Sequence, residues 1–373
     1  MLSVDNRVWQ EGSQVIWLTG DIISKSSHKT LWNQSFTWIP VMEKQAVAIV
    51  REHQPFVIRL LELLLSWRSL SLSQVEMMCT SIPVPRFDRE RVNVWGALVR
   101  LGVIRIGFLF SDLVLRDSGE VFVCLSALHD KNYHLLRLLG VADDMAHNYL
   151  LSKYIHSPHV AVKHNVYAAH VGWSLYRDSR VRTVGGDGVG GFRYFAPANS
   201  VNQAAAMDCV VFPRQGGILG IEVQSDARIF DKMERWIHFL SVVPDMWCLW
   251  LIIPNASNQT MNPRVFTRYQ SDSRLLTHEI GTRLLWADWS DWFTPEGLKR
   301  SHGWGIVHDF LGHTIPVLDT VKGDTWDWSP ASTWLWDSVC STISTHYHLD
   351  VSSMKPPASL LNPGIGLFHI KRV

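Results

Sequence analysis

Residues 246–254, MWCLWLIIP, form an unbroken apolar run with no charged side chain. A strand with one wet face alternates apolar and polar residues. A continuous run of this length reads instead as a strand buried on both faces, as in the parallel part of an α/β sheet. The segments upstream give it neighbours. A helix is expected over VKHNVYAAHVGWSLYR, then the Gly-rich VGGDGVGGF as a hairpin or flexible loop, then a strand near Phe192–Phe195. A second strand is read in AAAMDCVVFP, and Gln215, Gly216 and Gly217 make a tight turn into a third, ILGIEVQS. The amphipathic helix ARIFDKMERWIHFL precedes the apolar run. Residues 161–254 therefore read as α-β-β-β-α-β.

Residues 43–125 read as a separate small module. A helix covers roughly 43–68, with a break expected at Pro55, and Ser71 or Ser73 can cap a second helix, LSQVEMMCTS. After the Pro-rich SIPVPRF, Asp88 stands where an N-cap is expected for a third helix over 88–101. Val92, Trp95 and Val99 recur there at helical spacing, and Gly102 suits the C-terminal cap. VIRIGFLF and LVLRDSGEVFVCL follow as a hairpin, turning at Asp117, Ser118 and Gly119. Three helices followed by a hairpin are the order of a winged helix-turn-helix. In such a module a third helix carrying Arg89, Arg91, Asn93 and Arg100 can enter a major groove. Arg105 and Arg116 beside the wing can touch phosphate. Winged helices also serve as protein-contact modules, so this reading stands beside one without DNA.

The rest is less periodic. Residues 1–42 read as an N-terminal extension of loops and short strands, 126–160 as a helical linker, and 255–373 as a Trp-rich C-terminal region containing WADWSDWF and DTWDWSPASTWLW. The 18 Trp suggest an aromatic cluster or a surface for other proteins; base stacking is the alternative. His308 with His313, and His346 with His348, are metal-ligating types with nothing nearby to complete a set. A net charge of +1 gives no global basic field, so nucleic-acid binding would depend on local cations. Five scattered Cys without a CxxC argue against a zinc or disulfide framework. The opening MLSVDNRVWQ lacks a basic start and apolar stretch, and Phe56–Leu65 is interrupted by Arg59 and Glu62. A cytoplasmic protein without a membrane partner is expected.

Chemistry concentrates on two neighbouring strands. Asp208 opens the VVF run and Glu222 lies beyond the Gly216-Gly217 turn. Strands run about 4.8 Å apart, so carboxylates on adjacent strands can share one divalent cation. Gln224, two residues after Glu222, points to the same face. A buried Glu222 is costly unless paired or metal-bound.

Met207-Asp208 followed by Glu222-Val223-Gln224 resembles the PD-(D/E)xK phosphodiesterase motif. With HNVYAAH, MDCVVF, GILGIEVQSD and the helix holding Lys232, residues 43–254 resemble the replication-relaxation family, plasmid and mobile-element proteins with a winged helix ahead of a nuclease-like core. The resemblance implies an α+β chain: a winged helix-turn-helix, a restriction-endonuclease-like α/β core and a Trp-rich extension. It implies Asp208 and Glu222 as ligands of Mg²⁺ or Mn²⁺, and a catalytic set of Asp208, Glu222, Gln224, His164 and Lys232. The chain departs from the family pattern at three points. Met207 replaces the usual Pro, Gln224 the usual Lys, and His164, with Asp178 near the helix end, stands where the first helix normally offers Glu. Lys232 or Arg228 can supply the missing positive charge. Two functions follow as expectations: a metal-dependent DNA nickase, relaxase or replication initiator, or a degenerate nuclease fold that binds DNA or joins an assembly without cutting.

Overall fold

The computed structural model describes residues 9, 14–18, 28–31, 34–37, 40–110, 120–126, 162–186, 193–195, 204–213, 218–224, 233, 236–237, 240, 246–253, 271–294, 297–298 and 305–320. It is a mixed α and β structure that separates into two compact units, with the boundary between Val166 and Tyr167.

The N-terminal unit begins with β1 (Gln14–Leu18), β2 (His28–Leu31) and β3 (Gln34–Thr37). The next elements are α1 (Glu43–Glu52), α2 (Gln54–Trp67), β4 (Ser69–Ser71), α3 (Leu72–Met78), α4 (Val94–Arg100), β5 (Ile104–Phe110) and β6 (Val121–Leu125). The break between α1 and α2 falls at His53, and Pro55 sits in the first turn of α2, where a missing N–H costs no helical bond. Ser71 closes a capping box with Gln74 at the start of α3. Four strands pair in the order β1-β5-β6-β4. Residues 104–110 and 121–125 are antiparallel partners, as expected; the turn at Asp117-Ser118-Gly119 lies outside the described residues. Two pairings went unforeseen. β1, from the expected extension, becomes an edge strand on β5, and the short β4 pairs with β6. Three residues are too few to show a period, so β4 is specified by its partner.

The third helix is shorter than expected. Residues 88–93 are not helical, and the N-cap is Asn93, whose side chain accepts from Gly96 N at 2.9 Å. Asp88 instead accepts from the backbone N–H of Glu90, forming its own turn. Trp95 and Val99 are buried as expected, while Val92 is exposed because it lies outside the helix.

The C-terminal unit takes up the helix α5 (Val162–Tyr176), whose first residues belong to the N-terminal unit. It continues with β7 (Val181–Gly186), β8 (Arg193–Phe195), β9 (Ala204–Ala206), β10 (Cys209–Pro213), β11 (Ile218–Gln224) and β12 (Met246–Ile252). Between β11 and β12, Met233, Trp236, Ile237 and Leu240 are helical and buried, the inner face of the expected amphipathic helix. Next are α6 (His278–Gly281), β13 (Leu284–Asp288), α7 (Trp289–Trp292), β14 (Phe293–Thr294), β15 (Gly297–Leu298), β16 (Ile306–Asp309), β17 (Thr314–Pro316) and α8 (Val317–Thr320).

Seven strands form one sheet in the order β17-β16-β13-β12-β11-β10-β7. β11, β12 and β13 are parallel; every other neighbour is antiparallel. The apolar run is the central strand β12, and Cys248 to Ile253 are buried without exception. The first strand of the sheet corrects the sequence reading. VRTVGG, not residues 192–195, pairs with β10, and the β-branched Val181, Thr183 and Val184 outweigh the two glycines that follow. The strand at 193–195 exists but, among the described residues, pairs with β9 in a separate ribbon. The long second strand is also interrupted, at Met207 and Asp208. WADWSDWF, which matched neither period, is split between β13, the single turn α7 and β14.

Candidate active site

The interruption at Met207-Asp208 is where the sheet acquires a polar centre. Cys209 pairs with Ile221 in the antiparallel ladder of β10 and β11, so one further step sets Asp208 across from Glu222. Two bonds fix that step. The Asp208 backbone N–H donates to Ile221 O at 3.0 Å, and the Asp208 Oδ2 accepts from Val223 N at 2.8 Å. Asp208 thus grips β11 on both sides of Glu222, its carboxylate taking the place of a ladder carbonyl. Directly opposed residues have Cα atoms about 4.5–5.5 Å apart, close enough for both carboxylates to meet one cation.

Gly220 makes room for this bend. The Met207 side chain lies over its face, and a Cβ there would fall 1.8 Å from Sδ. The departure from Pro at this position therefore has a packing partner two residues before Glu222.

Glu222 and Gln224 are each 1% exposed and Asp208 8%. The same face of the sheet carries Cys248, paired in register with Gly220, and Trp250, in register with Glu222. The Cys248 thiol is pushed far up by burial, and next by the Glu222 charge, with Asp208 adding to it. Burial likewise raises Cys209, helped by Asp208. Both thiols stay protonated, and Cys248 feels both carboxylates. Sequence reasoning missed Cys248 and Trp250 because, inside an all-apolar run, nothing marks which residues stand beside a carboxylate.

Gln224 follows Glu222 on the same face, and its backbone carbonyl accepts from Ile253 N at 3.0 Å. Among the described residues no group of three or more His, Cys, Asp and Glu is disposed to hold a metal. The two residues expected to hold a metal, Asp208 and Glu222, are both carboxylates. That donor set fits a hard cation of the Mg²⁺ class, which keeps several waters and takes one or two carboxylates together with a substrate phosphate. It does not suit zinc, which prefers a closed set of nitrogen and sulfur ligands.

The other expected site residues are dispersed. His164 is half-buried in the first turn of α5, on the part belonging to the N-terminal unit. Asp178 binds Arg180 at 3.0 Å just after α5. Lys232, Arg228 and Arg116 lie outside the described residues, as do His346, His348, most of the 126–160 linker, DTWDWSPASTWLW and GLFHIKRV. His308 faces Thr314 at 2.9 Å and stacks on Trp286, whereas His313 is held by Asp309 at 2.7 Å. Of the cations expected on the third helix, only Arg100 is in it. It sits 3.9 Å from Glu43. Arg89 and Arg91 precede α4, Arg105 lies in β5, and Asn93 is the cap.

The chain matches no protein-family model, no curated protein and no solved structure.

Proposed function

We propose that the chain is a metal-dependent DNA-processing protein of the PD-(D/E)xK kind, a nickase, relaxase or replication initiator of a mobile element. The observation that carries this reading is the bracket that Asp208 forms around Glu222. At the broken start of one strand the Asp208 carboxylate accepts the backbone N–H next to the buried Glu222 of the neighbouring strand, inside a helix-strand-strand-strand-helix-strand arrangement. Two buried like charges side by side are unfavourable unless a proton or a cation joins them. A divalent cation held by Asp208 and Glu222 would supply charge for a phosphodiester in transit and a water of lowered pKa. The chain's own part is to hold Asp208 through the Ile221 and Val223 bonds and to bury both carboxylates away from bulk water. Residues 43–125 support the companion proposal of a winged helix, since α1–α2, β4, α3, α4, β5 and β6 occur in that order with β4 paired on β6.

One observation favours the second reading, a nuclease fold that binds DNA without cutting. Gln224 gives this face an amide where the motif has an ammonium, and the amide carries no charge toward a developing negative transition state. A plasmid-nicking assay with Mg²⁺ or Mn²⁺ separates the two. The wild type is expected to convert supercoiled plasmid to the open circle and Glu222→Gln is not. DNA bound but left intact by the wild type with either metal would establish the second reading.

A further inference from the structure

The helix expected to read bases is enclosed. Every residue from Val94 to Val99 is buried, so Arg100 in the last turn is the one partly exposed residue that α4 offers a groove. Part of the cover is the loop before it. The Trp95 indole N–H donates to Pro85 O at 2.9 Å, and the Phe87 ring meets Trp95 edge-on with centroids 6.5 Å apart. Phe87 also approaches Phe108 of β5, and the Arg89 guanidinium lies 5.4 Å above that same ring. Asn93 closes the loop from the other end, its amide donating to the carbonyls of Asp88 and Arg91 while its oxygen caps α4.

This loop is a fixed frame that sets Phe87 and Arg89 against Trp95 and Phe108 and leaves Arg86, Glu90 and Arg91 exposed. Phe87 anchors it, and the flanking Arg86 is exposed. Arg91 is 84% exposed, with Asp88 a loose 3.8 Å away. The loop carries three arginines in six residues, Arg86, Arg89 and Arg91, on a backbone already ordered by its own hydrogen bonds. Guanidinium groups on such a frame lose less freedom on meeting a phosphate than they would on a free loop.

We propose that this loop, and not α4, is the duplex-DNA contact of the N-terminal unit, with Arg86 and Arg91 each holding a backbone phosphate. The proposal rests on the DNA reading given above and changes its mode. Contact is to phosphate and independent of base sequence, and α4 acts as the buttress of the loop.

The test is fluorescence anisotropy of the full-length protein with a labelled 20-base-pair duplex of arbitrary sequence across a salt series, in EDTA to prevent cutting. Log affinity of the wild type is expected to fall linearly with log salt. Arg86→Ala combined with Arg91→Ala should flatten that slope by about 1.8 and weaken binding near 0.1 M salt by about 60-fold, the factor for two lost contacts extrapolated from 1 M. The double Lys variant should restore most of the slope, because the phosphate contact needs charge first. Both side chains are exposed, so a circular dichroism melt should match the wild type. An unchanged slope in the Ala variant, with the wild type still binding, overturns the loop assignment and leaves the nuclease reading intact. A wild type that binds single-stranded RNA of the same length but not the duplex overturns the duplex assignment. No binding to either overturns it together with the DNA reading, and the nicking assay then reports on the carboxylate site independently.

Discussion

Asp208 is expected to have two separable roles, and two substitutions pull them apart. Its Oδ2 accepts the Val223 N–H at 2.8 Å in a site only 8% exposed. Asp208→Ala leaves that donor buried without its acceptor. The loss of a buried bond to a charged group is about 1.5–3 kcal/mol. For a unit of this size that corresponds to a fall in Tm of roughly 3–10 °C. Asp208→Asn keeps an oxygen for Val223 and removes one of two neighbouring negative charges, so its stability should stay within about 1 kcal/mol of the wild type. Metal response should split differently. With Mn²⁺ at about one hundred times its Kd, the wild type should gain about 2.7 kcal/mol, and neither variant should gain comparably. The assay is thermal denaturation of the three proteins in EDTA and in a Mn²⁺ series, with circular dichroism as the probe. If Asp208→Asn is as destabilising as Asp208→Ala, the hydrogen bond is not what the carboxylate contributes to folding. If Mn²⁺ protects the Asn variant as well as the wild type, the metal reading of this centre is wrong.

Gly220→Ala should disturb the same centre from beneath, since the added Cβ would fall 1.8 Å from the Met207 Sδ; Mn²⁺ protection should be lost, and Met207→Ala in the same chain should partly restore it. His170 is buried against Trp289 and Phe293, and burial lowers its pKa from about 6.5 to about 4. The unfolded chain takes up the proton first as pH falls, so this contribution is complete above pH 6.5 or so and drains away toward pH 4, by up to roughly 3 kcal/mol; urea denaturation across that window should show the loss, and His170→Phe should remove it. Ser71→Ala should cost about 1 kcal/mol by opening the α3 capping box, and Gln74→Leu more, because the Gln74 amide also donates to Val166 O at 2.8 Å in a buried position; chemical denaturation of both variants measures the difference.

Several features were legible in the sequence because the information is local. The apolar run at 246–254 needed no partner to declare a strand buried on both faces, and it is the sheet's centre. Ser71 followed by Gln74 spells a cap whatever surrounds it. The apolar runs on either side of Gly216-Gly217 declared two strands, and β10 and β11 are antiparallel neighbours with Cys209, next to Asp208, paired with Ile221, next to Glu222. Other features depend on segments far apart in the chain. That the sheet continues past β12 through β13 to the antiparallel β16 and β17 could not be read, since Trp286 and His308 become partners only when residues 284–288 and 306–309 meet. The strand at 181–186 was masked by its glycines and is stabilised by β10. The clearest divergence is α4. Of its Val/Trp/Val stripe Trp95 and Val99 face inward while Val92 lies outside the helix and is exposed, and a helical period says nothing about what covers the outer face. Here the 85–93 loop contributes to that cover through Pro85 and Phe87, and the arginines assigned to a recognition helix stand on the loop instead. Periodicity is a property of neighbours within a turn or two; enclosure is a property of the whole folded unit, and only the tertiary structure decides it.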